Sequence, residues 1–223
     1  MTKSIIVALD EYDQIKFDKL LDQLDPELCM VKVGSVSYNS LGREAVTKAA
    51  DKGFDIFLDL KLHDIPNTVN KSIQGLSDLP LKMMTVHTSG GLRMLEESVK
   101  ATSDTNIKIF GVTVLTSLGD KDTEKIYKRN ANDQVLAMIK LAKESGIHGV
   151  VCSPHELSLV KNNSNLLTIT PGIRINNIED DQTRTMTAKE AIDNGSDFLV
   201  IGRPITASTN INNSLREIYD SIQ

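Results

Sequence analysis

Phe54-Asp55-Ile56-Phe57-Leu58-Asp59-Leu60-Lys61-Leu62-His63-Asp64 opens as a hydrophobic run and closes in alternating charge. A short apolar run with a polar end reads as a buried strand whose last residues reach a solvent-filled space. Outward from it the pattern recurs, in runs rich in Val and Ile. They lie at Ser4 to Leu9, Cys29 to Gly34, Phe54 to Leu60, Lys82 to His87, Ile107 to Leu115, Gly149 to Ser153, Leu166 to Thr170 and Phe198 to Gly202. Amphipathic stretches separate them. Ile15, Leu20, Leu21 and Leu24 share a helical face, as do Val135, Met138, Ile139 and Ala142, and near the end Leu215, Ile218, Tyr219 and Ile222. Strand followed by helix forces parallel pairing with right-handed crossovers, and eight such units predict closure into a TIM (β/α)8 barrel of the α/β class. A doubly wound open sheet is the structural rival, because periodicity counts strands without closing them.

The 223 residues hold 25 Lys plus Arg against 30 Asp plus Glu, a net charge of −5, which argues against a nucleic-acid partner. With 40% hydrophobic and 25% charged residues, the composition is that of a folded globular chain and excludes disordered and collagen-like classes. No Pro-rich, Ser-rich or single-sign linker breaks the rhythm, so residues 1–223 are expected to form one domain, a length usual for α/β barrels. The first apolar run meets a carboxylate at Asp10 and lacks the form of a signal peptide, and no membrane segment follows. A cytoplasmic location is therefore expected. Cys29 and Cys152 lie in apolar stretches, as reduced thiols do, and no metal-ligand spacing is present. Two longer connections, Thr116 to Asn130 and Arg174 to Met186, follow strand ends where barrel enzymes keep binding loops, and are lid candidates.

In a strand, residues two apart share a face, so Asp59 and Lys61 are expected to point into the barrel while Leu60 meets the helices. Alone, such a pair reads equally as a strand-end salt bridge. Other strand ends are polar too: Asp10 closes the first, Lys32 sits late in the second, His87 closes the fourth, Thr116 and Ser117 follow the fifth, and Arg203 follows the eighth. A barrel gathers all these ends on one rim, which favours a site. A second constellation is Ile201-Gly202-Arg203-Pro204, with Gln182 and Arg184 in the long seventh connection. Gly202 admits close backbone approach to an anion, and the arginine fork matches phosphate oxygens. The same residues, like Pro171-Gly172-Ile173-Arg174, also read as ordinary turns.

Taken together, these residues resemble the orotidine 5'-phosphate decarboxylase family over almost the whole chain. The most specific part is Asp59-Leu60-Lys61-Leu62-His63-Asp64-Ile65-Pro66-Asn67-Thr68-Val69. Ile6-Val7-Ala8-Leu9-Asp10, Val31-Lys32-Val33-Gly34, Val86-His87-Thr88-Ser89-Gly90-Gly91, Leu115-Thr116-Ser117, Thr170-Pro171-Gly172-Ile173-Arg174, Asp181-Gln182 and Val200-Ile201-Gly202-Arg203-Pro204 extend it. Ile175 departs from the proline that bacterial members often carry there. The resemblance implies a TIM-barrel homodimer that uses neither metal nor organic cofactor and takes a nucleotide substrate. It implies Lys61 as the acid that protonates C6, set between Asp59 and the partner subunit's Asp64, with Lys32 completing an alternating network. Flanking carboxylates favour the ammonium form.

By the same resemblance, Asp59 faces the substrate carboxylate, Asp10 and Lys32 bind ribose hydroxyls, and Thr116 with Ser117 binds the pyrimidine edge. Thr68 reaches ribose from the partner, so that Asp64, Ile65 and Thr68 enter the neighbouring pocket. Gln182, Gly202 and Arg203 take phosphate, with Pro171 and Arg174 nearby. The nearest alternative is the sister group of Mg2+-dependent sugar-phosphate decarboxylases and aldolases, which share Asp-x-Lys-x-x-Asp. The continuation Ile65-Pro66-Asn67-Thr68 and the Gln182 loop suit a nucleotide better. A non-catalytic phosphate-binding barrel is disfavoured by intact Asp59, Lys61 and Asp64.

Overall fold

The computed structural model describes residues 3–174 and 185–223. Its strands are β1 (Ile5–Leu9), β2 (Cys29–Gly34), β3 (Ile56–Leu62), β4 (Leu81–His87), β5 (Lys108–Val112), β6 (Gly149–Val151), β7 (Leu167–Thr170) and β8 (Phe198–Ile201). All pair in parallel and in chain order, and β8 returns to β1 through Ile5↔Leu199 and Val7↔Ile201, which closes the barrel. That last pairing excludes the open sheet.

Inside the barrel, Ile6, Met30, Phe57, Met83, Phe110, Ile169 and Phe198 form one apolar layer. Strand β6 contributes none of these large side chains. At Gly149 a Cβ would lie 2.5 Å from the Phe110 ring, so glycine there makes room for the aromatic. The alternate residues, such as Val7, Val31, Val33 and Leu58, face outward and bury themselves under the helices in the larger core. Leu20, Leu21, Leu24, Val135, Met138, Ile139, Ala142, Leu215 and Ile218 join that core as expected. Ile15 does not; it is exposed. The buried face of helix Gln14–Leu21 begins at Phe17, and a residue two positions earlier falls about 200° away around the helix.

Two strands are shorter than their composition suggests. β5 ends at Val112 rather than Leu115, and β6 at Val151 rather than Ser153. Thr113 donates both its N–H and its hydroxyl to the carbonyl of Val151. Beyond Val151 the chain turns, with Ser153 N–H donating to Glu156 Oε2 at 2.9 Å, so no ladder remains for Val114 and Leu115. The connection Thr116 to Asn130 contains helix Asp120–Tyr127, anchored where Ala131 N–H donates to Asp120 Oδ1 at 2.9 Å. The other lid candidate is pinned at its base: Arg174 N–H donates to Met186 O and Met186 N–H to Gly172 O, at 3.0 and 3.2 Å. Ile175, Asp181, Gln182 and Arg184 lie outside the described residues. Cys29 and Cys152 are both buried. Burial, helped by Asp25 and opposed by Lys3, pushes the Cys29 thiol up to about 12, which leaves it inert. No described helix is long and apolar enough to cross a membrane.

Candidate active site

Above the apolar layer, the next inward positions turn polar on β2, β3 and β4, at Lys32, Asp59 and Thr85, all buried. They underlie a cavity of about 640 Å3 at the C-terminal ends of the strands, within the range of small-molecule sites. Its floor carries an alternating chain of charge. Lys32 Nζ lies 3.1 Å from Asp10 Oδ1 and 3.6 Å from Asp59 Oδ2, and Lys61 Nζ lies 2.7 Å from that same Asp59 oxygen. The other Asp59 oxygen accepts the Thr85 hydroxyl at 2.9 Å. Burial by itself raises the Asp59 carboxyl, but the charges of Lys32 and Lys61 and the bonds from Lys61 and Thr85 outweigh it and hold the group below its ordinary value. Asp59 is therefore a fixed anion between two cations.

The Asp59–Lys61 contact was expected from simple alternation, and the route to it differs. Leu60 does pack on the helix side. Lys61, however, is not extended: its φ is +52°, in the left-handed region, and the β3–β4 register shifts between Leu58 and Leu62. A bulge of this kind re-aims side chains. At the end of β2, Gly34 leaves space for the Lys32 ammonium, since a Cβ there would sit 2.7 Å from Nζ.

The cavity gathers Asp10, Lys32, Asp59, Lys61, Thr116, Pro171, Arg174, Gly202 and Arg203. It does not gather Ser117, Asp64 or Thr68, which stand exposed. Asp64 Oδ1 accepts the Ile65 N–H at 2.6 Å, and Thr68 lies on helix Pro66–Gln74. At Gly202 a Cβ would meet only Ala8, at an ordinary 3.7 Å, so the protein's own packing leaves that backbone open to the cavity. His87 ends β4 as expected, its ring centroid 5.3 Å from that of His63. Burial, then His63 and Lys61, hold His87 below its ordinary value, with Asp59 opposing.

Sequence reasoning missed Thr85 and read Cys152, which lines the cavity, only as a reduced thiol in an apolar stretch. The signal for Thr85 was its place two residues before His87, on the same face of β4. Among the described residues, no three His, Cys, Asp or Glu side chains converge as a metal site.

Residues 3–218 match the model of a family described as orotidine 5'-phosphate decarboxylase / HUMPS. The chain is 45% identical over 217 residues to the orotidine 5'-phosphate decarboxylase of Legionella pneumophila (strain Paris), covering 94% of this chain and 95% of that one. It is 44% identical over 230 residues to the enzyme of that name from Mannheimia succiniciproducens, covering 100% and 98%. Among solved structures, orotidine 5'-phosphate decarboxylase from Lactobacillus acidophilus superimposes with a TM-score of 0.88 at 34% identity, over the full length of both chains.

Proposed function

The chain belongs to the orotidine 5'-phosphate decarboxylase / HUMPS family, and from that premise we propose that it converts orotidine 5'-monophosphate to uridine 5'-monophosphate and CO2 in pyrimidine biosynthesis, without metal or organic cofactor. The observation that carries this reading is the alternation Asp10, Lys32, Asp59, Lys61 on the cavity floor. When the bond between C6 and the carboxylate breaks, its electron pair stays on C6 in the plane of the ring, where no adjacent carbonyl can absorb it. A fixed cation beside C6 lowers that barrier, and it does so most effectively when it needs no reorganisation. Lys61, tied to Asp59, supplies the cation. Its proton then passes to C6, giving uridylate, and the neutral amine is recharged from solvent.

Asp59 faces the substrate carboxylate, and departure of CO2 relieves that repulsion. We assign the larger share of catalysis to Lys61, because carbanion stabilisation grows through the step. Asp10 and Lys32 hold the ribose and Thr116 the pyrimidine edge, which Ser117, exposed beside it, reaches when the connection Thr116 to Asn130 closes over the substrate. Gly202, Arg203, Arg174 and Gln182 hold the phosphate beside Pro171. A cytoplasmic location goes with a nucleotide-handling enzyme whose buried thiols are reduced.

Dimerisation completes the proposal. Tyr12, Ile15, Val36 and Ile65 are exposed at 69, 66, 45 and 67%, and all follow the C-terminal ends of β1, β2 or β3. A second copy of the chain over this sector removes them from water and delivers the partner subunit's Asp64 and Thr68 to the cavity. Relatives that match over nearly the full length carry the decarboxylase name, which counts against the Mg2+-dependent sugar-phosphate alternative. The test is continuous ultraviolet recording of orotidylate consumption with and without EDTA. Equal rates are expected. A rate abolished by chelator removes the metal-free mechanism, and no consumption at all removes the proposal.

A further inference from the structure

On the reading that the chain decarboxylates orotidylate, we infer that Thr85 is a positioning residue for the reaction: its single hydroxyl fixes both the Asp59 carboxylate and the backbone turn that aims Lys61. Thr85 Oγ1 accepts the Lys61 backbone N–H and donates to Asp59 Oδ1, each at 2.9 Å. A hydroxyl has one proton to give, and here both directions are forced, because the carboxylate only accepts and the amide only donates. Thr85 is fully buried, so no water competes for either bond.

Its place in the sheet explains why one residue can do both. β3 advances four positions from Leu58 to Leu62 while β4 advances two, from Met84 to Val86. Thr85 is the residue of β4 between those two partners, directly opposite the bulge. Inside the bulge Lys61 takes φ +52°, a conformation that non-glycine residues rarely adopt. Lys61 has no register partner on β4, and its N–H donates to the Thr85 hydroxyl. The hydroxyl thus replaces the ladder bond that the bulge removes, and in the same motion clamps the carboxylate that Lys61 Nζ contacts at 2.7 Å. Thr85 does not line the cavity, so it acts on the substrate only through these two neighbours.

The experiment compares orotidylate turnover in wild type, Thr85→Val, Thr85→Ser and Thr85→Ala, with thermal melts to verify folding. Valine keeps the shape and loses both bonds, so kcat is expected to fall about 10 to 100-fold. KM should stay within about threefold, because the binding groups are untouched. Serine retains the hydroxyl and is expected to keep kcat within about threefold of wild type. If the valine variant does not fold, alanine takes its place in the comparison. Three results overturn the inference: wild-type kcat in the folded valine or alanine variant, an effect on KM alone, or serine as damaging as valine. Each of these needs an active wild-type enzyme; an inactive one overturns the functional reading, and this inference with it.

Discussion

A methyl group on residue 34 would sit 2.7 Å from the Lys32 ammonium and 3.4 Å from the Asp10 carboxylate. Because the obstacle is the far end of a flexible side chain, Gly34→Ala should fold. Its melting temperature should stay within about 2 °C of wild type, while turnover falls about tenfold as Lys32 is pushed aside. A melt and a steady-state assay on one preparation check both halves. Asp59 makes a pH prediction. Its folded value lies below the ordinary 3.8 of an unfolded Asp. It therefore adds stability that is complete above the unfolded value and is lost as pH falls through the folded one. In acid titrations followed by circular dichroism, Asp59→Asn should show a flatter fall in stability than wild type below about pH 4. His87, also depressed, acts in the same sense over a higher window, losing its contribution as pH drops below its ordinary 6.5. At this scale the sequence displayed Asp59 and Lys61 openly, because two opposite charges at the end of an apolar run are conspicuous. Thr85 was hidden: threonine is ordinary in a strand, and its task is created by a bulge in the neighbouring one.

Strand β2 was legible almost to the residue, since the apolar run between Asp25-Pro26-Glu27 and Gly34 leaves little choice. β5 was not, because Thr113-Val114-Leu115 has strand composition, and a strand's end is set by how long its neighbour lasts rather than by its own residues. The bulge in β3 left no compositional mark either, since a left-handed lysine looks in sequence like any other. Helices were legible by their apolar stripe, with Ile15 misplaced by a shift of two positions. Helix Ala131–Ser145 offers a clean test of local signals. The Asn130 side chain accepts the Asp133 N–H at 2.8 Å, and the helix closes on Gly146 at φ +74°. Asn130→Ala should lose about 1 kcal/mol in urea unfolding with kcat unchanged. A loss of turnover instead would tie the connection from Thr116 to the catalytic cycle.

For the molecule as a whole, eight parallel strands with no free edge place Asp10, Lys32, Asp59 and Lys61 from three consecutive strands on one floor. Asp64 and Thr68 stand outside it in a single copy. Mixing an inactive Asp59→Asn chain with an inactive Asp64→Asn chain should restore about a quarter of the native sites, if subunits exchange at random and each site draws Asp59 from one chain and Asp64 from the other. Activity of the mixture no higher than the sum of its parts would mean that each copy works alone. The charge order on the floor also bears on descent. Each inner member, Lys32 and Asp59, holds two opposite charges, and each end member, Asp10 and Lys61, holds one, so replacing an inner residue removes two ion pairs at once and replacing an end residue removes one. A lineage leaving this chemistry therefore sheds the ends before the middle. Descendant genes should keep Lys32 with Asp59 after Asp10 or Lys61 has gone.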